Sequence, residues 1–194
     1  MAQSAQSAIE RIESFAAQPA ALATMALWGA AEAVALPIVP DVGLGLLALA
    51  APRRAARLFG AVLAGALAGT LVLAFLTAQA PDAVHAMLLA LPGVEASQLV
   101  EANGQLRRDG VLGFVQYGVG PPLKVYSNQW LAQGGDIPGL VIGAIFNRLT
   151  RIGPVVLAAS GAGMLLASWV RRHSAGTVAA YTAFWVALYA VLWT

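Results

Sequence analysis

The chain alternates long apolar runs with short polar interruptions, and the run lengths predict its elements. Leu58 to Gln79 carries no charge and exceeds the roughly 20 residues a helix needs to cross a bilayer. It is the clearest transmembrane helix. Gly65 and Gly69 form a small-xxx-small pair within it, with Ala61, Ala64 and Ala68 nearby, which lets another helix approach closely. Ile152 to Val170 and Ser174 to Thr194 are also uncharged and predict two further crossings. Before them Ile137 to Phe146 is apolar, and Asn147, Arg148 and Arg151 interrupt the pattern.

Two apolar runs are broken inside. Pro19 to Pro52 is too long for one upright span and too short for two. It contains Glu32, Pro37, Pro40 and Asp41. Proline removes a backbone donor and restricts the residue before it, so Pro37 and Pro40 break the helix. Broken backbone in hydrocarbon is tolerated only where protein buries it or where it lines a wet cavity. The expectation is a re-entrant hairpin over residues 19–52, entering and returning on one side. Val111 to Leu123 is too short to cross, ends in Pro121-Pro122 and is followed by Lys124. It predicts a second hairpin over 111–135, entering from the opposite face. Two interrupted segments in corresponding places of two halves point to an inverted repeat with its binding site between them.

The remaining segments are more polar. Ser7 and Glu10 make a capping box before Ile9, Ile12, Phe15 and Ala16 at helical spacing, with Ala5 and Ala8 ahead of them, so residues 1–18 predict an amphipathic helix on the membrane surface. Residues 80–110 hold Asp82, His85, Glu95, Glu101, Arg107, Arg108 and Asp109 with Pro81, Pro92 and Gly93 as breakers. They predict an extramembrane connection with an interfacial helix over Leu99 to Arg108, and His85 reads as a solvated residue.

Composition agrees with one membrane domain over 1–194. The chain is 59% hydrophobic and 10% charged, against about 25% charged in an ordinary soluble domain, and no stretch remains for a soluble catalytic domain. The fold class is an all-α integral membrane protein, with two opposed re-entrant hairpins and transmembrane helices over 58–79, 137–170 and 174–194. With no cysteine and two histidines, disulfides and thiolate metal sites are excluded, and neither metal nor cofactor is expected. The net charge of +2 includes no basic stripe interleaved with aromatics, so nucleic acid is not an expected partner. Arg53, Arg54 and Arg57, and again Arg171, Arg172 and His173, mark the cytoplasmic side. If the last run crosses, the C-terminus is external.

Glu32, Asp41, Lys124 and Arg148 are the candidate pathway residues, because ionisable groups at membrane depth face a polar cavity or a partner. A phosphate crossing there needs positive charge and backbone donors, which Lys124, Arg148 and the broken helix ends supply. The structural alternatives are that Glu32 only pairs with Lys124 or Arg148 to hold the hairpins together, and that Asp41 only caps the following helix. Trp130, Trp169, Trp185 and Trp193, with Tyr117, Tyr126, Tyr181 and Tyr189, read as interface anchors and packing surface. Asn128, Gln129 and Gln133 either line the cavity or bond neighbouring helices.

Glu32, Pro37-Ile38-Val39-Pro40 and Asp41 resemble the acidic-and-proline signature of the first hairpin in the DedA family, also called the VTT or SNARE-associated membrane protein family. Leu106 to Gly110, Pro121-Pro122-Leu123-Lys124, and Ile137-Pro138 with Gly143 and Arg148 resemble that family's interfacial helix, second hairpin and following helix. The resemblance spans about Trp28 to Arg151. It implies two facing re-entrant hairpins in inverted repeat and a lipid translocase, flippase or scramblase for polyprenyl phosphate or phospholipid, often dependent on the proton gradient. On that resemblance Glu32 and Asp41 fall on acidic positions of the first hairpin, Lys124 on a basic position of the second that is usually arginine, and Arg148 on a basic residue of the next helix. Where the family commonly carries Gly-Arg-Phe before the second hairpin's proline, this chain has Tyr117-Gly118-Val119-Gly120.

The expected partners are membrane lipids through a phosphate headgroup, and protons; the glycine and alanine faces would also suit a homo-oligomer. The expected location is the bacterial cytoplasmic membrane, since no targeting segment precedes a compact chain. Two other classes stay open: a non-catalytic assembly subunit, and a membrane enzyme acting on a lipid phosphate or ester. No Ser-His-acid set supports the enzyme reading.

Overall fold

The computed structural model describes residues 7–116 and 120–192. These residues are helical, with no strand among them. In chain order the α-helices are α1 (Ala8–Ala16), α2 (Pro19–Val34), α3 (Asp41–Ala50), α4 (Ala55–Gln79), α5 (Pro81–Leu89), α6 (Ala96–Asp109), α7 (Leu123–Ala132), α8 (Ile137–Arg151), α9 (Gly153–Leu165), α10 (Ala167–Arg172) and α11 (Ser174–Leu192). Three stretches are long and apolar enough to cross a membrane: Pro52–Gln79, Ile137–Leu165 and Ser174–Val191.

The middle of these departs from the division that run lengths suggest. Arg148 and Asn147 do not interrupt the helix, because both are buried and bonded inside the protein. The span starts at Ile137 and runs through α8 and α9 to Leu165, not from Ile152 to Val170; α10 is a separate short helix.

The most extensive helix pairing is α2 on α4, and glycine makes it possible. A Cβ at Gly65 would collide with the backbone oxygen of Ala26, one at Gly69 with that of Ala30, and one at Gly29 with that of Val62. Since Ala26 meets Gly65 and Ala30 meets Gly69, the two helices run parallel. Leu44, Leu47 and Ala48 of α3 pack into a common core with Met25, Leu58, Val62, Ile152 and Val156. A second core joins Ala33, Ala66 and Ala74 to Leu99, Leu106, Phe114, Leu123, Tyr126 and Leu140. The α2–α4 pair therefore ties the two halves of the chain together.

Between α2 and α3 the helix stops at Val34 and restarts at Asp41, with Pro37 and Pro40 in the gap. At about 1.5 Å per residue, α2 is about 24 Å long and α3 about 15 Å, each shorter than a hydrocarbon core of about 30 Å. The other proline pair, Pro121-Pro122, stands directly before α7, whose cap is Pro122. Ahead of it lies only a 3-10 turn over Gly110–Phe114, so an α-helical first arm is absent among the described residues there. Tyr117, Gly118 and Val119 lie outside the described residues, as do Ala5 and Trp193.

At one end of the molecule α1 carries the Ser7–Glu10 capping box, and Glu13 pairs with Arg171 at 3.4 Å. Arg53, Arg54, Arg57 and Arg171 border one cleft there. The two arginine groups that read as topology markers thus share an end.

Candidate functional site

Where α2 breaks, its last carbonyls lose their helical partners, and side chains from distant elements replace them. Lys124 Nζ donates to the carbonyl oxygens of Glu32 (2.8 Å) and Leu36 (3.0 Å). Trp28 Nε1 donates to the carbonyl of Ile38 at 2.9 Å. The Val39 N–H donates to the Tyr189 hydroxyl at 2.9 Å, and the Tyr181 hydroxyl reaches the carbonyls of Asp41 (3.1 Å) and Val42 (2.9 Å). The gap is held open by protein donors and acceptors, which meets the requirement for irregular backbone away from water.

The same lysine and an arginine hold the carboxylate of Glu32. Lys124 Nζ stands 3.8 Å from Oε1, and Arg148 Nη2 donates to Oε2. All three side chains are almost wholly buried. Attraction between buried charges repays their desolvation only when the geometry is good and the remaining hydrogen-bond capacity is filled. Here that filling is incomplete: Arg148 Nε and Nη1, Arg151 Nη1, Glu32 Oε1 and Asp41 Oδ1 are buried without hydrogen-bond partners.

Glu32, Asp41, Lys124 and Arg151 line one cavity of about 410 Å³. Its polar floor comes from α2, α3, α7 and α8. Its walls are apolar and come from Val155 of α9 and from Phe184, Trp185 and Leu188 of α11. Pro37 and Pro122 of the two proline breaks border it, whereas Pro40 and Pro121 shape the breaks without lining the cavity. Arg148 lies just behind the floor. Three cations thus face two carboxylates, and the guanidinium groups keep N–H donors to spare.

Of the residues singled out in the sequence, the structure gathers Glu32, Lys124 and Arg148 into one ion cluster and sets Asp41 on the wall of the same cavity. Glu32 pairs with both Lys124 and Arg148. Asp41 is the first residue of α3, one position after the cap residue Pro40. Four residues named in the sequence for other roles also line the cavity: Arg151, Tyr181, Trp185 and Tyr189. Arg151 is one turn from Arg148 on α8, a spacing that could have flagged it. Tyr181, Trp185 and Tyr189 recur every four residues on one face of α11, and that face lines the cavity. Tyr126 is buried in the core, and Trp130 packs on Phe114. Asn128 and Gln129 line a different pocket.

No group of three or more His, Cys, Asp or Glu side chains among the described residues is arranged to hold a metal ion. Comparisons with protein-family models, curated proteins and solved structures find no significant match.

Proposed function

We propose that the protein is an integral membrane lipid translocase of the DedA type, with the cavity at the α2–α3 break as the station for a phosphate-bearing headgroup. The observation that carries this reading is the cavity's two-sided chemistry. Its floor, with Arg148 behind it, sets three cations against two carboxylates and leaves guanidinium donors unpartnered, and its walls are apolar and aromatic. That combination suits an anionic headgroup attached to a hydrocarbon chain, since arginine matches phosphate oxygens in a planar fork.

In this reading α2 and α3 form a re-entrant hairpin, which their short lengths support. The stretch through Pro121-Pro122 and α7 forms its counterpart, entering from the other face. In both halves a ten-residue helix after the proline break, α3 or α7, leads toward a longer helix, α4 or α8, an order compatible with an inverted repeat. An entering phosphate competes with Glu32 for Arg148 and Lys124, while Arg151 is its first contact. The displaced Glu32, together with Asp41, is then the group that accepts a proton if transport is proton-coupled.

The test is leaflet-to-leaflet movement of a labelled polyprenyl phosphate and a labelled phospholipid in proteoliposomes, at two pH values. Wild type should move one of them, and Glu32→Gln, Lys124→Gln and Arg151→Gln should slow it. If folded, inserted protein moves neither lipid with or without a proton gradient, the reading falls. If Glu32→Gln and Lys124→Gln alter only assembly, the assembly-subunit alternative replaces it.

A further inference from the structure

We propose that a narrow hydrated passage runs along the α4–α7 interface and joins the Glu32–Lys124 cluster to a second pocket, giving water and protons a separate entrance to that cluster. The second pocket, about 470 Å³, is lined by Ala74 and Thr77 of α4, Asp82 and His85 of α5, and Asn128 and Gln129 of α7. Along α7, Asn128 is one turn from Lys124, a rise of about 6 Å. Ser127 lies between them. Along α4, Thr70 is one turn from Ala74 and from Ala66, and both alanines pack in one core with Leu123, Val125 and Tyr126 of α7. Thr70 and Ser127 therefore lie on the stretch of the interface between the cluster and the pocket.

Their hydroxyls are not satisfied as those of four other helical residues are. Thr77, Thr150, Ser160 and Thr177 each turn back to the carbonyl four residues earlier, at 2.9, 2.8, 2.7 and 3.0 Å, the common way a helical hydroxyl is satisfied away from water. Thr70 Oγ1 and Ser127 Oγ are fully buried and make no such bond. A buried hydroxyl that declines the local carbonyl loses free energy unless another partner reaches it. Two of them between two polar cavities, with the neighbouring positions kept small by Ala66 and Ala74, fit a short file of bridging water, which needs two to four polar partners per molecule. Asp82 and His85 stand at the outer mouth. The charged groups at the inner end are Glu32, Lys124 and Arg148, with Asp41 and Arg151 across the cavity.

The absence of cysteine makes the passage directly testable by single-cysteine variants in membranes, probed with silver ion, a thiol-reactive cation close to water in size. Ser127→Cys, a change of one atom, and Thr70→Cys should both react. Thr77→Cys reports the open pocket, and Leu73→Cys, fully buried in an apolar cluster, reports dry core. Adding Ala74→Leu at the inner rim should abolish the Ser127→Cys reaction while leaving the reagent's entry to the pocket at Thr77 intact. If Ser127→Cys is as silent as Leu73→Cys while Thr77→Cys reacts, the passage does not exist. If Thr70→Cys fails to fold, Ser127→Cys with and without Ala74→Leu decides alone. Labelling needs no lipid movement, so the passage survives a negative transport assay, and a positive transport assay cannot rescue it.

Discussion

Helices α2 and α11 both flank the break between Val34 and Asp41, and they hold it by opposite means. Helix α2 lies on α4 through glycines that bring backbone against backbone, and its last turn is pinned by two buried cations. Helix α11 has apolar faces turned outward over its whole candidate span and reaches the break through the tyrosine hydroxyls of Tyr181 and Tyr189. Close packing resists any displacement, because every neighbouring atom must shift with it. A few hydroxyl bonds fix position at a net contribution of about 1 kcal/mol each. The difference assigns one wall of the cavity to the rigid body of the protein and makes the other readily displaced.

Removing a cation from the rigid side should have the largest effect. Arg148→Met leaves the Glu32 carboxylate buried beside Lys124 alone, and breaking such a pair costs about 3–5 kcal/mol; thermal unfolding in detergent should fall accordingly. Arg148→Lys, which keeps a cation beside Glu32, should recover part of the loss. If the single variant is as stable as wild type, Glu32 is not held through Arg148.

Next is the glycine seam. Gly65→Val drives a side chain into the Ala26 backbone and should destabilise by about 1–3 kcal/mol or more. Gly60→Ala meets nothing within 4 Å and should be neutral or slightly stabilising. Equal effects at both positions would erase the distinction between seam and surface.

A smaller effect is expected on the other wall. Tyr181→Phe removes the bonds to Asp41 and Val42 and should cost about 0.5–1.5 kcal/mol. Faster deuterium exchange should appear in α11 and the first turn of α3, with the α2–α4 amides unchanged. Faster exchange throughout would mean that α11 belongs to the same rigid unit as α2.

The smallest effect concerns α1, outside the spans. The Ser7 N–H donates to the Glu10 carboxylate at 2.8 Å, which holds its pKa below the usual 4.5. A carboxylate with a lowered folded pKa contributes its full share above 4.5, and that share is lost as pH falls through the lowered value. Exchange of α1 amides should therefore be insensitive to pH near neutrality, once corrected for intrinsic chemistry, and rise only as pH falls below 4.5.

Much of this comparison can be traced in the sequence, though unevenly. Gly65 and Gly69 advertised a close helix contact because small residues at that spacing have few other uses in a long apolar helix. Pro37 and Pro40 marked the break, and Glu32 and Lys124 stood out because charge is rare in such surroundings. Arg148 and Asn147 carried the opposite signal: hydropathy treats a charge as the end of a run, whereas an arginine paired inside the protein lets the helix continue. Tyr181, Trp185 and Tyr189 could not be separated from membrane-interface aromatics, since both uses favour an apolar ring with a polar tip. What distinguishes the two tyrosines is the neighbour each one reaches, 140 positions away for Tyr181 and 150 for Tyr189, and no local pattern contains that.

The tripod of oxygens around Lys124 has a consequence for how the chain is made. The carbonyls of Glu32 and Leu36 find their donor 92 and 88 positions later. At roughly 5–20 residues per second, synthesis delivers that lysine on the order of ten seconds after the break has emerged. During that interval the first half of the protein carries open backbone groups that it has no residues of its own to close. The nascent chain therefore cannot settle this bend alone, and the bend becomes final only after α7 and then α11 have arrived.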